Sequence, residues 1–227
     1  MIPKIPNRAI WITILFALSQ SVSAVVTFTA WPEFPNSVVG EGADPGATRG
    51  WEFNVVEPEG VMVTHLGLFD YTANGLTFPH RVGIWNSLGE LLVSAEIPSG
   101  ILAPLDSDGL FRFVSVTPIF LSARDNYRIG AQYFDGDSND LVAIQADSFE
   151  IDPALEYVRG VFERRVDTLT YPTEAVAAID PSAFGPSFQI APIPEPSGVV
   201  YLGVSAIALL RSRHCRTRHR SQSMTRA

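Results

Sequence analysis

Between residues 25 and 191 the apolar positions fall in short bursts, and the clearest of them repeats every second residue. In NYRIGAQYF (126–134), Tyr127, Ile129, Ala131 and Tyr133 share one face while Arg128, Gly130 and Gln132 share the other. That alternation is the mark of a half-buried strand. Similar β-branched and aromatic runs cover 25–30, 51–56, 61–70, 80–86, 91–97, 110–116, 118–122, 141–145, 157–162 and 187–190. Gly, Pro, Asn and Asp separate them, as turn chemistry requires. Glu57-Pro58-Glu59-Gly60 reads as a turn, and Ser87-Leu88-Gly89-Glu90 as a hairpin connection. The single helical expectation is a short turn over TEAVAAI (173–179). Many short strands without a βαβ rhythm predict an all-β fold, an antiparallel β-sandwich of jelly-roll type.

The two ends carry different patterns. Residues 1–24 place Lys4 and Arg8 before an apolar run (9–18), then Val22-Ser23-Ala24 with small residues at the cleavage positions. This predicts a signal peptide, helical in its apolar part and cut by signal peptidase after Ala24. Residues 192–227 contain Pro194-Glu195-Pro196, an uncharged apolar helix over 198–210, and six arginines from Arg211 onward. Thirteen helical residues span about 20 Å, less than the ~30 Å hydrocarbon core, so the run reads as a short or temporary anchor. Arginines behind it keep that end in the cytoplasm and the preceding domain outside.

The order of proline–glutamate–proline box, apolar run and arginine cluster resembles the PEP-CTERM sorting signal, also labelled an ice-binding-protein C-terminal domain, a label that does not imply ice binding. The resemblance covers about residues 192–220. It implies a Gram-negative-type bacterium, export across the inner membrane, and recognition of Pro194, Glu195 and Pro196 by a membrane transpeptidase of the exosortase type. It also implies loss of the tail and association with extracellular polysaccharide at the cell surface or in a biofilm matrix. The apolar run is a little shorter than the family pattern, and the arginine tail is longer and contains Cys215. A second resemblance, over roughly 38–147, is to an uncharacterised β-sandwich domain of bacterial surface proteins. It lies in Gly50-Trp51-Glu52-Phe53, Leu66-Gly67-Leu68-Phe69-Asp70, Val82-Gly83-Ile84-Trp85-Asn86 and Tyr127-Arg128-Ile129-Gly130-Ala131.

Charge narrows the partners. Residues 25–191 hold eight arginines against 23 acids, a net charge of −15. Such a body repels phosphate backbones, so nucleic acid is not an expected partner. Lys4 is the only lysine and Cys215 the only cysteine, and both lie outside the domain. The domain therefore has no phosphate-binding or Schiff-base lysine, no thiol nucleophile and no disulfide.

Three sets of residues remain as candidate chemistry. Asp135, Asp137, Asn139 and Asp140 in DGDSND have the spacing at which a calcium loop opens. Asp140 stands where an EF-hand needs glycine and Ala146 where it needs a bidentate glutamate, so the alternative is an acidic hairpin turn. No other cofactor is expected. Trp31, Trp51 and Trp85 are candidates to stack on sugar rings. Trp51 and Trp85 also read as core residues, which leaves Trp31, beside Pro32, as the expected exposed ring. His65 and His80 read as polar face positions, with no third ligand for zinc. A glycosidase pair such as Glu52 with Glu163 is an arbitrary choice from sequence, and no nucleophile elbow appears. The expectation is a non-enzymatic, structural or adhesive surface protein, with a carbohydrate-binding module as the alternative and a glycan-active enzyme third.

Overall fold

The computed structural model describes residues 46–134 and 149–176, with the shorter stretches 23–24, 26–28, 39–40, 140, 142–144, 183–191 and 193. The chain divides into two compact units, Met1–Pro192 and Ile193–Ala227. Every strand belongs to the first. The N-terminal signal helix and the 198–210 helix lie outside the described residues, among which no helix is long and apolar enough to cross a membrane.

The regular structure among the described residues is all β. Four strands form one sheet, in the order β1 (Ser23–Ala24), β15 (Pro186–Ala191), β5 (Val61–Phe69), β8 (Phe111–Leu121). Six form another: β13 (Glu174–Ala175), β12 (Leu155–Arg164), β4 (Ala47–Val55), β9 (Asn126–Tyr133), β6 (His80–Asn86), β7 (Leu91–Ile97). Short strands β14 (Ala183–Phe184), β10 (Val142–Ile144) and β3 (Val39–Gly40) make a third group, and β11 (Phe149–Ile151) pairs with β2 (Val26–Phe28). All pairings are antiparallel.

One apolar core joins the two large sheets, an arrangement consistent with a β-sandwich. Trp51 and Phe53 of β4, Ile129 and Ala131 of β9, and Val82 and Ile84 of β6 are fully buried in the same cluster as Leu66 and Leu68 of β5 and Phe188 of β15. Each such side chain contributes about 1.5–3 kcal/mol on leaving water. The alternation expected for 126–134 holds: Tyr127, Ile129, Ala131 and Tyr133 all enter this core.

Three elements differ from the sequence reading. The runs 110–116 and 118–122 are one strand, β8, continuous through Pro118. β8 is an edge strand, and its register with β5 jumps between Val63 and His65, so Pro118 falls in the irregularity and its missing N–H costs no ladder bond. The helical turn expected over 173–179 is replaced at Glu174–Ala175 by strand β13, which pairs with Val161 and Phe162; residues 177–179 lie outside the described ones. β4 begins at Ala47 rather than Trp51, because Thr48 and Arg49 find partners in both β9 and β12 that a polar sequence does not announce.

Candidate functional site

Alternation along β4 sends Trp51 and Phe53 into the core, so Gly50 and Glu52 must occupy the opposite face of the six-stranded sheet. The register sets Gly50 beside Gly130 and Gly130 beside Gly83, a row of three glycines across β4, β9 and β6. Trp85 of β6 lies over this row: a Cβ at residue 130 would stand 3.3 Å from its Cζ3 and 2.8 Å from Thr48 Cγ2. Gly83 and Gly130 thus form the floor on which the indole rests, while a Cβ at Gly50 would meet the β9 backbone at Ile129 O.

A strap, residues 166–173, crosses the same face. Sheet groups hold it almost entirely by its backbone. Gln132 Nε2 donates to Asp167 O at 2.5 Å, Arg128 Nη1 to Pro172 O at 2.6 Å, and the strap's own Thr170 N donates to Thr48 Oγ1 at 3.0 Å. At its ends Val166 N donates to Gly46 O, and Thr173 N and Oγ1 donate to Glu163 Oε2. Tyr171 meets Trp85 edge-on with centroids 6.1 Å apart, and the Arg128 guanidinium lies 4.9 Å above the Tyr171 ring. Trp85 keeps only 3% of its surface.

Beside the indole, Glu52 accepts from two arginines. Arg128 Nε lies 3.0 Å from Glu52 Oε2, as do Nε and Nη2 of Arg159. A bulge in β12 between Tyr157 and Arg159 skips Val158 and aims Arg159 at Glu52. Glu52 is buried and Arg159 half exposed, so the cluster has a dry carboxylate and one wet cation.

The candidate tryptophans therefore lie in different places. Trp51 is in the core, its Nε1 donating to Pro186 O at 2.9 Å. Trp85 is under the strap and outside the core cluster. Neither ring faces solvent, and Trp31 lies outside the described residues. Glu52 and Glu163 both fall on the strap face, the first held by arginines and the second by Thr173.

Asp135, Asp137 and Asn139 also lie outside the described residues, whereas Asp140 is buried with its oxygens turned inward. Oδ1 and Oδ2 accept from Thr77 N at 2.8 Å, and Oδ2 accepts from Phe78 N at 3.0 Å. His80 Nε2 lies 2.9 Å from the same Oδ2, and its Nδ1 lies 2.7 Å from Gln132 O. The buried ring thus stands between a backbone carbonyl and a carboxylate. Burial on its own would raise the Asp140 carboxyl, but the bonds from His80, Thr77 and Phe78 outweigh it and hold the group below its ordinary value. Among the described residues no three His, Cys, Asp or Glu side chains are grouped to hold a metal ion. His65, by contrast, is half-buried beside Thr64 Oγ1, and burial lowers its pKa.

A second buried pair lies nearby in sequence and was equally silent there. Arg112 Nε donates to Asp70 Oδ2 at 2.7 Å, while Nη1 and Nη2 donate to Ala103 O and Ala73 O. Asp70 also accepts from Gly75 N. The loops 70–79 and 98–110 are bridged directly, Leu76 and Gly100 exchanging both backbone bonds. The sequence signal for these pairs is an ionisable residue near each strand boundary, but such residues are commonplace there.

No family model, curated protein or solved structure matches this chain.

Proposed function

We propose that this chain is an exported bacterial surface or extracellular-matrix protein, sorted through Pro194, Glu195 and Pro196 by an exosortase-type transpeptidase and acting structurally or by adhesion. The observation that carries the reading is the order of box, uncharged run and arginine cluster in residues 192–220. A self-supporting all-β unit ahead of that signal is the kind of cargo such a route delivers.

The finer architecture we propose is a jelly roll. In the uncut chain, taking β1, β4, β5, β6, β7, β8, β9 and β15 in order as strands one to eight, the sheets read 1-8-3-6 and 2-7-4-5; a cut after Ala24 removes the two-residue β1 and leaves 8-3-6 opposite 2-7-4-5. That interleaving supports two nested Greek keys, with β12 and β13 added beyond β4.

Expression of the full chain in a bacterium that carries an exosortase, followed by mass spectrometry of both termini, tests the reading. The expected mature protein begins after Ala24 and has lost the arginine tail, and alanine at Pro194 and Glu195 leaves the tail in place. A mature protein that keeps its tail whether or not the exosortase is present overturns it. The carbohydrate-binding alternative draws no support from Trp51 or Trp85, whose rings are buried, and rests on Trp31.

A further inference from the structure

The loops 70–79 and 98–110 emerge at one end of the β6–β7 pair, one leading into His80 and the other leaving Ile97. They expose apolar side chains: Ile101 keeps 71% of its surface and Leu102 79%, with Tyr71 and Phe78 nearly two-fifths exposed beside them. Large apolar groups presented together mark an interaction site. These are not loose loops, because Arg112–Asp70, His80–Asp140 and the Leu76–Gly100 bridge fix their backbones from beneath.

Their composition is as telling as their exposure. Neither 71–79 nor 98–105 contains an ionisable side chain other than the Tyr71 phenol, in a domain carrying net charge −15. At their base Asp70 is already neutralised by buried Arg112. Asp106 and Asp108 follow on the outer strand of the loop. A partner can thus cover Ile101 and Leu102 without desolvating an ion of either loop tip, but an anionic partner meets carboxylates at the rim. Adjacent isoleucine and leucine with most of their surface in water make a protrusion, not a pocket, and the same two loops carry the partly exposed rings of Tyr71 and Phe78, tyrosine being enriched at lipid interfaces.

We propose that this end of the domain docks on a bilayer of net-neutral headgroups, with Ile101 and Leu102 inserted and Tyr71 and Phe78 at the headgroup level. The proposal rests on the described loops and is independent of the C-terminal sorting signal. Docking here would orient the domain with its strand ends towards the lipid.

A single fluorophore decides it. In the full chain with Cys215→Ser, an environment-sensitive dye is placed on Leu102→Cys or, as control, on Leu88→Cys, which is 82% exposed at the opposite end of β6–β7. With phosphatidylcholine vesicles the dye at 102 is expected to shift to the blue and be quenched by spin-labelled lipid, while the dye at 88 stays aqueous. Adding Ile101→Asp should lower the apparent partition coefficient by at least roughly tenfold, with the thermal midpoint unchanged because the side chain touches water in the fold. Vesicles rich in phosphatidylglycerol should bind more weakly. The proposal fails if the dye at 102 stays aqueous while the chain sediments with vesicles, since the apolar tail alone then binds. It also fails if the blue shift appears without lipid and grows with protein concentration, which would make the partner a second copy.

Discussion

Trp51 of one sheet stacks on Phe188 of the other, ring centroids 5.8 Å apart and planes inclined by 17°. Phe53 lies 5.1 Å from the same Phe188 ring, so a single side chain of β15 closes on two of β4. Either Trp51→Ala or Phe188→Ala should cost about 3–5 kcal/mol of unfolding free energy in urea titrations. The double variant should lose less than the sum, by about 1 kcal/mol, because the ring contact is removed only once. Strict additivity would show that the two sheets do not depend on this contact.

The Asp140 carboxylate sits below its ordinary value near 3.8 in the fold, so its contribution is present at neutral pH and down to that value. It is lost as the pH falls further, through the folded-state pKa. Asp140→Asn should cost about 3 kcal/mol at pH 7, since buried His80 and the Thr77 and Phe78 amides lose their shared carboxylate. The gap between wild-type and variant stability should narrow below pH 4. Parallel pH curves would mean that the pair adds nothing.

Arg112 binds two backbone carbonyls, Ala73 O and Ala103 O, besides Asp70, so Asp70→Ala leaves a buried guanidinium without its carboxylate. A loss of about 3–5 kcal/mol is expected. Limited proteolysis should find new cuts within 98–110 before global unfolding, because the Ala103 carbonyl and the Gly75 amide both depend on this pair.

Gly130→Val puts carbon into the 2.8 Å gap beside Thr48 and under the Trp85 ring. The expected cost is about 1–3 kcal/mol, as for other overpacked sites. Acrylamide should quench Trp85 fluorescence more strongly in the variant, read in a background with Trp11, Trp31 and Trp51 all replaced by Phe, because lifting the indole loosens the strap. Unchanged quenching would place the strain elsewhere.

The strands were legible because their apolar faces obey a period of two, and Tyr127 to Tyr133 is the plainest case. What escaped was set by contacts distant in sequence. Trp85 reads as core from its neighbours Val82 and Ile84, but its own parity turns it outward, and only the strap makes it buried. Thr48 and Arg49 look like loop residues until β9 and β12 flank them. Glu174 and Ala175 have helical propensity, and pairing with Val161 and Phe162 overrides it. His80 and Asp140 are 60 positions apart, so no local pattern could join them.

Pro118 stands within the edge strand of the four-stranded sheet, opposite the irregular pairing of Val63 and His65. A neighbouring molecule laying a strand along β8 would find no amide hydrogen at that point. At high local density this edge resists fusing with the edge of a neighbouring sheet.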